Sequence, residues 1–328
     1  MIFKCRNCGG NSVYHPDKKT MWCPHCDSEE SQQKVENDSI TTCGNCGAPL
    51  DGVTEYTSAL KCSHCGSYII LKERVEGENK PDLILPFAVS KDKAVEILKK
   101  EFGTKILIPF SFLSQASLEC MEGSYVPFWL YDYYADIDYE AKATKVRVYV
   151  RDDIEYTETS HYRVTRKMDI NLHKIPVDAS KRMADDIMDL MEPYEYQALK
   201  QFEEKYMSGF EGEVVNFPNT DLEQRAAQRA KEASETMLNQ TVTGYTTVVP
   251  VKKQIDISKK KAHFALLPVW VYRYEFRGKE YIYHVNGQTG KVIGTVPTDK
   301  RKAYLYTGTV FAITALICQC LNMILEVL

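Results

Sequence analysis

The pattern of hydrophobic and polar residues predicts strands where the two alternate along the middle of the chain. Residues 145–150 alternate apolar and polar side chains, and residues 157–167 are rich in Thr, Tyr and Val, as expected of strands with one exposed face. Residues 281–292 contain Asn286-Gly287, a pair typical of tight hairpin turns. These segments predict an antiparallel sheet.

Apolar residues spaced three and four apart predict helices between the strands. Ser90 and Ser180 each precede such a segment and are placed to cap it. Helical patterns also run over residues 194–210 and 220–239, and the second opens at Thr220 with the form of a capping box. Together the elements predict the α+β class, with helices on one face of the sheet. The apolar positions after the two serines are Ala94, Ile97 and Leu98, and Met183, Ile187 and Met191.

Two internal similarities predict that this part of the chain is duplicated. Residues 84–91 resemble residues 174–181, and residues 126–133 resemble residues 267–274, where both segments contain a Pro-x-Trp-x-Tyr pattern. The alternative is that aromatic strands after a proline simply look alike. The predicted halves are residues 84–165 and 174–296, within an α+β domain of residues 82–302.

The first 71 residues carry two copies of one cysteine pattern. Each copy has two Cys-x2-Cys pairs separated by fourteen or fifteen residues, and such a pair presents two thiolates to a tetrahedral metal. The pattern predicts two zinc ribbons, residues 1–30 and 40–71, with polar linkers at residues 27–42 and 72–82. Each ribbon is expected to hold one structural zinc ion, because a closed shell of four thiolates leaves no position for a substrate. The predicted ligands are Cys5, Cys8, Cys23 and Cys26, and Cys43, Cys46, Cys62 and Cys65.

Two alternatives concern the same cysteines. Disulfides would require an oxidising compartment, whereas residues 1–4 lead into the first cysteine pair without a signal-peptide pattern, which favours the cytosol. His25 and His64 lie inside cysteine pairs but are not needed as ligands where four cysteines are available. Small residues are expected to permit the tight turns, and they are Gly9, Gly44, Gly47 and Gly66.

Composition and charge narrow the function. The chain has 328 residues, 44% hydrophobic and 26% charged, with 41 Lys and Arg against 45 Asp and Glu and a net charge of −4. This composition is that of a globular protein, and the balance provides no large positive field for nucleic acid. The patterns Gly-x4-Gly-Lys-Ser/Thr, Gly-x-Ser-x-Gly and His-Glu-x2-His are missing. We therefore predict no catalytic residue and expect a protein that is not an enzyme.

Other chemically capable residues are predicted to be structural. Residues 287–291 fit a hairpin turn better than a phosphate loop, and the Asp185 to Asp189 segment fits a solvated helix face. Asp136-x-Asp138 places two carboxylates on one strand face, where they can bind a hard cation, although exposure to solvent is the simpler interpretation. Cys120 is expected to be buried. Surface or packed positions are expected for His161, His173, His263 and His284.

Residues 303–328 form a nearly uncharged C-terminal segment. As a helix, residues 304–325 would be about 33 Å long, enough to cross a hydrocarbon core of about 30 Å. The basic triplet at residues 300–302 predicts a single pass through the cell membrane with residues 1–302 in the cytosol. A buried core helix is the alternative. Helix association is predicted from Gly308, Ala312 and Asn322, and acylation of Cys318 and Cys320 is a less favoured prediction.

Taken together, the cysteine pattern, Pro127-Phe128-Trp129, residues 267–270, residues 286–291 and the apolar C-terminal segment resemble a family of bacterial membrane proteins with a TFIIB-type zinc ribbon. Its members often carry the label primosomal protein N′ or replication-restart helicase. The helicase part of that label has no counterpart here, because no nucleotide-binding loop is present. The resemblance implies a place in membrane-stress systems that include phage-shock-type and flotillin-like proteins.

The sequence leaves three functional hypotheses. The favoured one is a membrane-anchored cytosolic adaptor that binds protein partners, of the phage-shock or flotillin type if the resemblance holds. A distant third is an enzyme that uses a cleft between the two predicted halves. The second hypothesis is a nucleic-acid-binding protein, and the only basic and aromatic residues that could form its patch in the ribbons are Lys4, Arg6, Lys18, Lys19 and Trp22.

Overall fold

The computed structural model describes residues 1–37 and 39–327, and the side chains of all of these except Asp185 and residues 322–327. The helices are α1 (Lys91–Phe102), α2 (Gln115–Glu119), α3 (Asp185–Leu190), α4 (Asn219–Thr241) and α5 (Lys300–Val327). The strands are β1 (Ile2–Cys5), β2 (Val13–His15), β3 (Thr20–Trp22), β4 (Gln32–Val35), β5 (Thr57–Lys61), β6 (Tyr68–Ile70), β7 (Leu83–Ile84), β8 (Glu122–Arg151), β9 (Ile154–Asp178), β10 (Lys200–Gln201), β11 (Glu211–Glu213), β12 (Thr247–Phe276), β13 (Lys279–Asn286) and β14 (Val292–Gly294). The mixed α+β class predicted from the sequence is confirmed.

The first cysteine module extends further along the chain than the cysteine spacing indicates. β2 and β3 form a hairpin, and β1 pairs antiparallel with β4, so that Ile2 lies opposite Val35. β4 falls within residues 27–42, which were predicted to be a linker, and that prediction is wrong for residues 32–35. The strand forms because Val35 packs on an apolar cluster that includes Ile2, which is buried.

The second cysteine module is hydrogen-bonded into the main sheet. Its β5–β6 hairpin pairs through β5 with β11, where Ala59 lies opposite Gly212, and β11 runs parallel to β8. In the described residues the main sheet has ten strands, with the path β10-β7-β12-β8-β11-β5-β6 and with β9, β13 and β14 attached at its sides. The second module is therefore continuous with the α+β sheet through backbone hydrogen bonds.

Two strands of 30 residues each, β8 and β12, pair antiparallel at the centre of the sheet. The pairing is symmetric about Val126 and Leu267, which lie opposite each other. Two residues after Val126, at Phe128, β8 begins to pair with β9, and two residues after Leu267, at Val269, β12 begins to pair with β13. The preceding segments differ, since β7 runs parallel to β12 whereas the end of β9 runs antiparallel to β8. The duplication of the whole halves stays a prediction.

Helices pack on both faces of the central sheet, so the prediction of helices on one face is wrong. Leu98 of α1 belongs to the same core cluster as Tyr125 of β8. Met188 of α3 belongs to a second cluster with Val126 of β8 and Leu267 of β12. The physical reason is visible in the sequence around these residues, where consecutive side chains are apolar, as in a strand that is covered on both sides.

Beyond this two-sided core, β9, β8 and β12 continue as a three-stranded arm. Helix α4 covers one face of the arm through a stripe of small and apolar side chains spaced four apart, Ala226, Ala230, Ser234 and Leu238. Register shifts near Pro250 and Lys259 change which side chains of β12 face the helix. The opposite face is polar, and α4 ends before the arm does.

The arm ends in a bare hairpin, which we define as residues 144–161. Thr144 is the last β8 residue in register with β12. Beyond it β8 pairs as a strand only with β9, and one further bond joins the Val146 N–H to the Thr246 hydroxyl at 2.9 Å. The two strands join through Asp152 and Asp153, which both have positive φ, as a tight two-residue turn requires. Every residue from Lys145 to Thr159 is exposed.

Three local predictions about helices are corrected. The segment after Ser180 becomes helical only at Asp185, and Ser180 instead donates to Glu213 and accepts from the Met183 N–H. Residues 194–210 form short 3-10 turns and a two-residue strand, because their aromatic side chains are buried at irregular intervals. Helix α4 begins at Asn219, so Thr220 is inside the helix and is not its cap.

Helix α5 is long and apolar enough to cross a membrane, the only described helix with that property. The span runs over Lys300–Leu321 with a mean hydropathy of 1.5, and none of it is buried by the rest of the chain. This exposure counts against a buried core helix. The predicted contribution of Asn322 concerns a side chain outside the described part of the protein. Helix α5 continues past the predicted end of the span at residue 325, to Val327.

Candidate metal centres

The first cluster brings together Cys5, Cys8, Cys23 and Cys26. The distance between the sulfur atoms of Cys5 and Cys26 is 3.7 Å, and that between Cys8 and Cys23 is 3.5 Å. Cys5 ends β1 and Cys23 follows β3, so two strands of different pairs place the two halves of the cluster. Cys5 and Cys23 are buried, while Cys8 and Cys26 are exposed.

The second cluster repeats this geometry with Cys43, Cys46, Cys62 and Cys65. Its sulfur atoms lie 3.6 Å apart for Cys43 and Cys65, and 3.9 Å apart for Cys46 and Cys62. Cys43 and Cys62 are again the buried members. Among the described residues, these two clusters are the only groups of three or more His, Cys, Asp or Glu ligand atoms close enough to hold a metal ion.

All four cysteine pairs share one backbone turn. In each, the N–H four residues after the first cysteine donates to that cysteine's carbonyl, at 2.8 to 2.9 Å. The donor residue has positive φ in every case, and three of the four are glycines, Gly9, Gly47 and Gly66, with Asp27 as the fourth. Gly44 is different, because its φ is not positive and a Cβ there would lie 2.8 Å from Asn37. The expectation for Gly44 is therefore corrected to a close approach of two chain segments.

The spacing of the sulfur atoms suits a tetrahedral thiolate site. Four sulfurs at about 2.3 Å from a central zinc ion would lie about 3.8 Å from one another, and all ligand atoms of each cluster lie within 4.8 Å. A disulfide would require about 2.05 Å between sulfurs, so the eight cysteines are not bonded in pairs. Each cluster can hold one metal ion in a closed shell.

Hydrogen-bond donors surround the sulfurs. The Gly10 N–H points at the Cys8 sulfur at 3.4 Å, and the Asn45 side-chain amide at the Cys65 sulfur at 3.5 Å. The hydroxyl of Ser67 accepts from the Cys65 thiol at 3.2 Å, and the hydroxyl of Ser28 lies 3.1 Å from the Cys26 sulfur. The amide donors of Gly10 and Asn45 favour the thiolate form of the cysteines, which is the form that binds metal.

Side chains also connect the two clusters to each other. The ammonium of Lys4, next to the first cluster, donates to the side-chain oxygen of Asn45 in the second. Asn11 and Asn45 both donate to the hydroxyl of Ser67, at 2.7 and 2.8 Å. The two modules are therefore in direct hydrogen-bonded contact beside their cysteine clusters.

The histidines of the cysteine pairs lie outside both clusters. His25 is exposed, and the nearest acid to His64 is Asp51, whose carboxylate lies 3.9 Å away. Two residues of the predicted nucleic-acid patch have partners within the protein, since Lys18 forms an ion pair with Glu29 at 2.6 Å and Lys4 donates to Asn45, while Arg6 and Lys19 are exposed.

The remaining residues singled out from the sequence are scattered. Asp136 is exposed and Asp138 pairs with Lys252 at 2.6 Å. Asp189 is not merely solvated, because it accepts from Arg225 and Arg229 of α4. Cys120 is exposed, so the expectation of a buried thiol is wrong.

Residues 287–291 form the turn between β13 and β14, held by Asn286, whose side-chain oxygen accepts from two N–H groups of that turn. His161 and His173 are exposed, and His263 is partly buried.

Sequence reasoning missed a cavity of about 150 Å³ between α3 and the β12–β13 hairpin, whose mainly apolar wall includes Glu213, Arg273 and His284. Glu213 is buried in its wall and accepts from the Ser180 hydroxyl at 2.5 Å, and burial raises the pKa of the Glu213 carboxyl. His284 is 4% exposed, and its Nδ1 has no hydrogen-bond partner among the described residues. Burial, together with the charge of Arg273, lowers the pKa of His284 to about 4. No motif signals this cavity, because distant segments supply its groups.

These features define a class of protein in which two four-cysteine modules are built onto an α+β sheet that ends in an apolar helix long enough to span a membrane. No family model matches the chain, and no solved structure matches it. The chain is 31% identical to "Uncharacterized protein YdjG" of Bacillus subtilis (strain 168) over 310 residues, which are 92% of this chain and 91% of that protein. It belongs to the same family as that protein.

Proposed function

We propose that the protein is a membrane-anchored adaptor that holds two structural zinc ions and binds protein partners. The four thiolates of each cluster form a closed shell, which suits zinc as a structural metal and leaves no site for a reacting molecule. The cytosol, where thiols stay reduced, is the compartment in which these cysteines would serve as metal ligands.

Helix α5 is the proposed anchor. Its first three residues are basic, and Tyr304 and Tyr306 follow at the depth where aromatic side chains favour the interface. The positive-inside rule then gives a single pass, with residues 1–302 on the cytosolic side of the cell membrane. Gly308 and Ala312 are exposed on this helix and would support its association with a second helix.

The bare hairpin, residues 144–161, is the observation that carries the adaptor role. A two-stranded hairpin is marginally stable in water on its own, yet this one exposes apolar side chains on both faces. Val146, Val148 and Val150 share one face, and Tyr149, Ile154 and Tyr156 share the other. Beyond Thr144 the outer edges of the hairpin pair with no other strand of the described residues, which suits a protein partner that adds a strand. We propose that such a partner covers the hairpin.

A test compares partner recovery for the full-length protein, solubilised from native membranes and captured by a tag. Val148→Asp places a charge on the hairpin, and Met237→Asp places the same charge on an exposed position of α4 as the control. We expect one set of proteins to be lost with Val148→Asp and kept with Met237→Asp. Loss only with Cys43→Ser and Cys46→Ser would move the docking surface to the second module.

Recovery that no variant reduces would refute the adaptor role. Nucleic-acid binding is the second hypothesis, and its signature would be co-purified nucleic acid whose affinity falls steeply with salt. We also propose participation in a membrane-stress system of the phage-shock or flotillin type. Recovery of phage-shock-type or flotillin-like proteins as partners would support that part of the proposal. Native mass spectrometry under reducing conditions tests the metal, with two zinc ions per chain expected.

A further inference from the structure

Residues 103–113, which we call the foot loop, lie beside the start of α5 and carry apolar side chains on their outer surface. Phe110 is 90% exposed and Ile106 is 62% exposed. Both ends of the loop are fixed in the core, because Phe102 and Phe112 are buried and their rings meet edge to face at 5.5 Å. The exposed side chains are therefore held outside by buried neighbours on either side.

The foot loop is bonded to the first turn of α5. The N–H of Asp299 donates to the Leu107 carbonyl at 2.8 Å, and the Lys302 ammonium donates to the Ile108 carbonyl at 2.7 Å. The same ammonium lies 3.2 Å from the centre of the Phe110 ring. These contacts fix the height of Phe110 relative to the residue at which α5 becomes apolar.

An apolar groove of about 500 Å³ separates the foot loop from α5. The loop contributes Ile106, Pro109 and Phe110, and the helix contributes Leu305 and Tyr306. The two helix residues belong to the candidate membrane span. The groove is therefore continuous with a surface that, if α5 spans the membrane, is in contact with lipid.

Positive charge surrounds this apolar surface. Residues 99–113 and 299–306 together contain six Lys or Arg and two Asp or Glu. The two acids are engaged, Glu101 with Lys105 at 3.3 Å and Asp299 with Arg277 at 2.8 Å. An apolar wedge bordered by cations is the combination that inserts at the boundary between headgroups and acyl chains of anionic lipids.

We infer that the foot loop is a second membrane-contacting element, which inserts Phe110 and Ile106 into the interface of an anionic bilayer next to α5. This inference rests on the proposed membrane span of α5. A bilayer is the occupant that the structure favours over a protein, because a span beginning at Lys300 would bring lipid to the groove without a further partner. The foot loop then sets how the cytosolic part stands on the membrane, since a helix alone leaves it free to tilt.

Tryptophan fluorescence of the full-length protein in vesicles of phosphatidylcholine and phosphatidylglycerol tests the inference. Phe110→Trp reports the foot loop, Leu316→Trp reports the span, and Val150→Trp, at an exposed position of the bare hairpin, is the matched control. Emission of the wild-type protein is subtracted to remove its three native tryptophans. The vesicles carry bromine on the acyl chains, either near the headgroup or near the chain end.

We expect Phe110→Trp to lose most of its emission to bromine near the headgroup, Leu316→Trp to bromine near the chain end, and Val150→Trp to neither. Quenching of Leu316→Trp without quenching of Phe110→Trp would overturn the inference and leave the anchor standing. A blue-shifted but unquenched Phe110→Trp would show that protein covers the loop, which also overturns it. An unquenched Leu316→Trp would refute the anchor itself.

Discussion

Two phenylalanines of the foot loop, two residues apart, should lose very different amounts of stability on the same truncation to alanine. Phe112 is fully buried and its ring contacts those of Phe102, Tyr272, Tyr274 and Tyr283, with centroids 4.8 to 5.5 Å apart. Truncation of a buried Phe to Ala costs about 3–5 kcal/mol. Because aromatic pairs add about 0.5–1.5 kcal/mol each beyond their buried area, we expect Phe112→Ala to lose about 5 kcal/mol.

Phe110→Ala is the control, because the side chain is 90% exposed to the surroundings of the protein. Surface substitutions usually change stability by less than about 0.5 kcal/mol. The assay is denaturant unfolding of the full-length protein in detergent with zinc present, and the free energy of unfolding is determined for each variant. A loss of similar size for the two variants would refute the placement of the loop. A loss below about 2 kcal/mol for Phe112→Ala would refute its place in the core.

Three further predictions follow from the sites. Removal of the proposed zinc ions by a chelator should increase hydrogen exchange at residues 57–70 while residues 126–130, in the two-sided core, stay protected. An equal increase in both segments would contradict the expectation that the metal supports only the cysteine modules. The pKa of His284 is about 4 in the folded chain and near 6.5 in the unfolded chain, so the unfolded chain binds the proton first as the pH falls. About 3 kcal/mol of stability should therefore be lost between pH 6.5 and pH 4. In a series of unfolding curves at different pH, His284→Gln should remove this dependence on pH. Gly123→Ala should destabilise by about 1–3 kcal/mol in the same unfolding assay, because the added Cβ inside β8 would lie 2.7 Å from the Phe210 ring. Gly278→Ala is the comparison: it lies in the turn between β12 and β13 with open space around it and positive φ, and it should cost less than that overlap.

The cysteine clusters could be predicted from the sequence because a Cys-x2-Cys turn is local. The turn needs only its own backbone hydrogen bond and one residue of positive φ, so spacing and a glycine such as Gly47 contain the information. The apolar C-terminal helix was visible for a similar reason, since length and composition along one segment define it.

The rest depends on contacts between distant segments. Glu213 and His284 line one cavity although 70 residues separate them, and neither has a neighbour in sequence that marks it. The length of β8 was missed because its character changes along the strand, from apolar on both faces near Val126 to alternating near Ile137 and exposed beyond Thr144. Each stretch has a different pattern because a different element covers it.

The two long central strands also determine how far the protein can reach. Phe276, at the end of β12, is next to Arg277, which bonds Asp299 just before α5, whereas Thr247, at the other end, adjoins the bare hairpin. At about 3.3 Å per residue, β12 has a contour of about 95 Å, and the hairpin adds about 20 Å. A compact chain of this length would have a radius of gyration of only about 20 Å. If α5 fixes the chain in the bilayer, the long strands act as a spacer that holds the bare hairpin away from the lipid surface. The proposed partners would then have to present their binding surface at that distance from the membrane, in addition to matching the hairpin chemically.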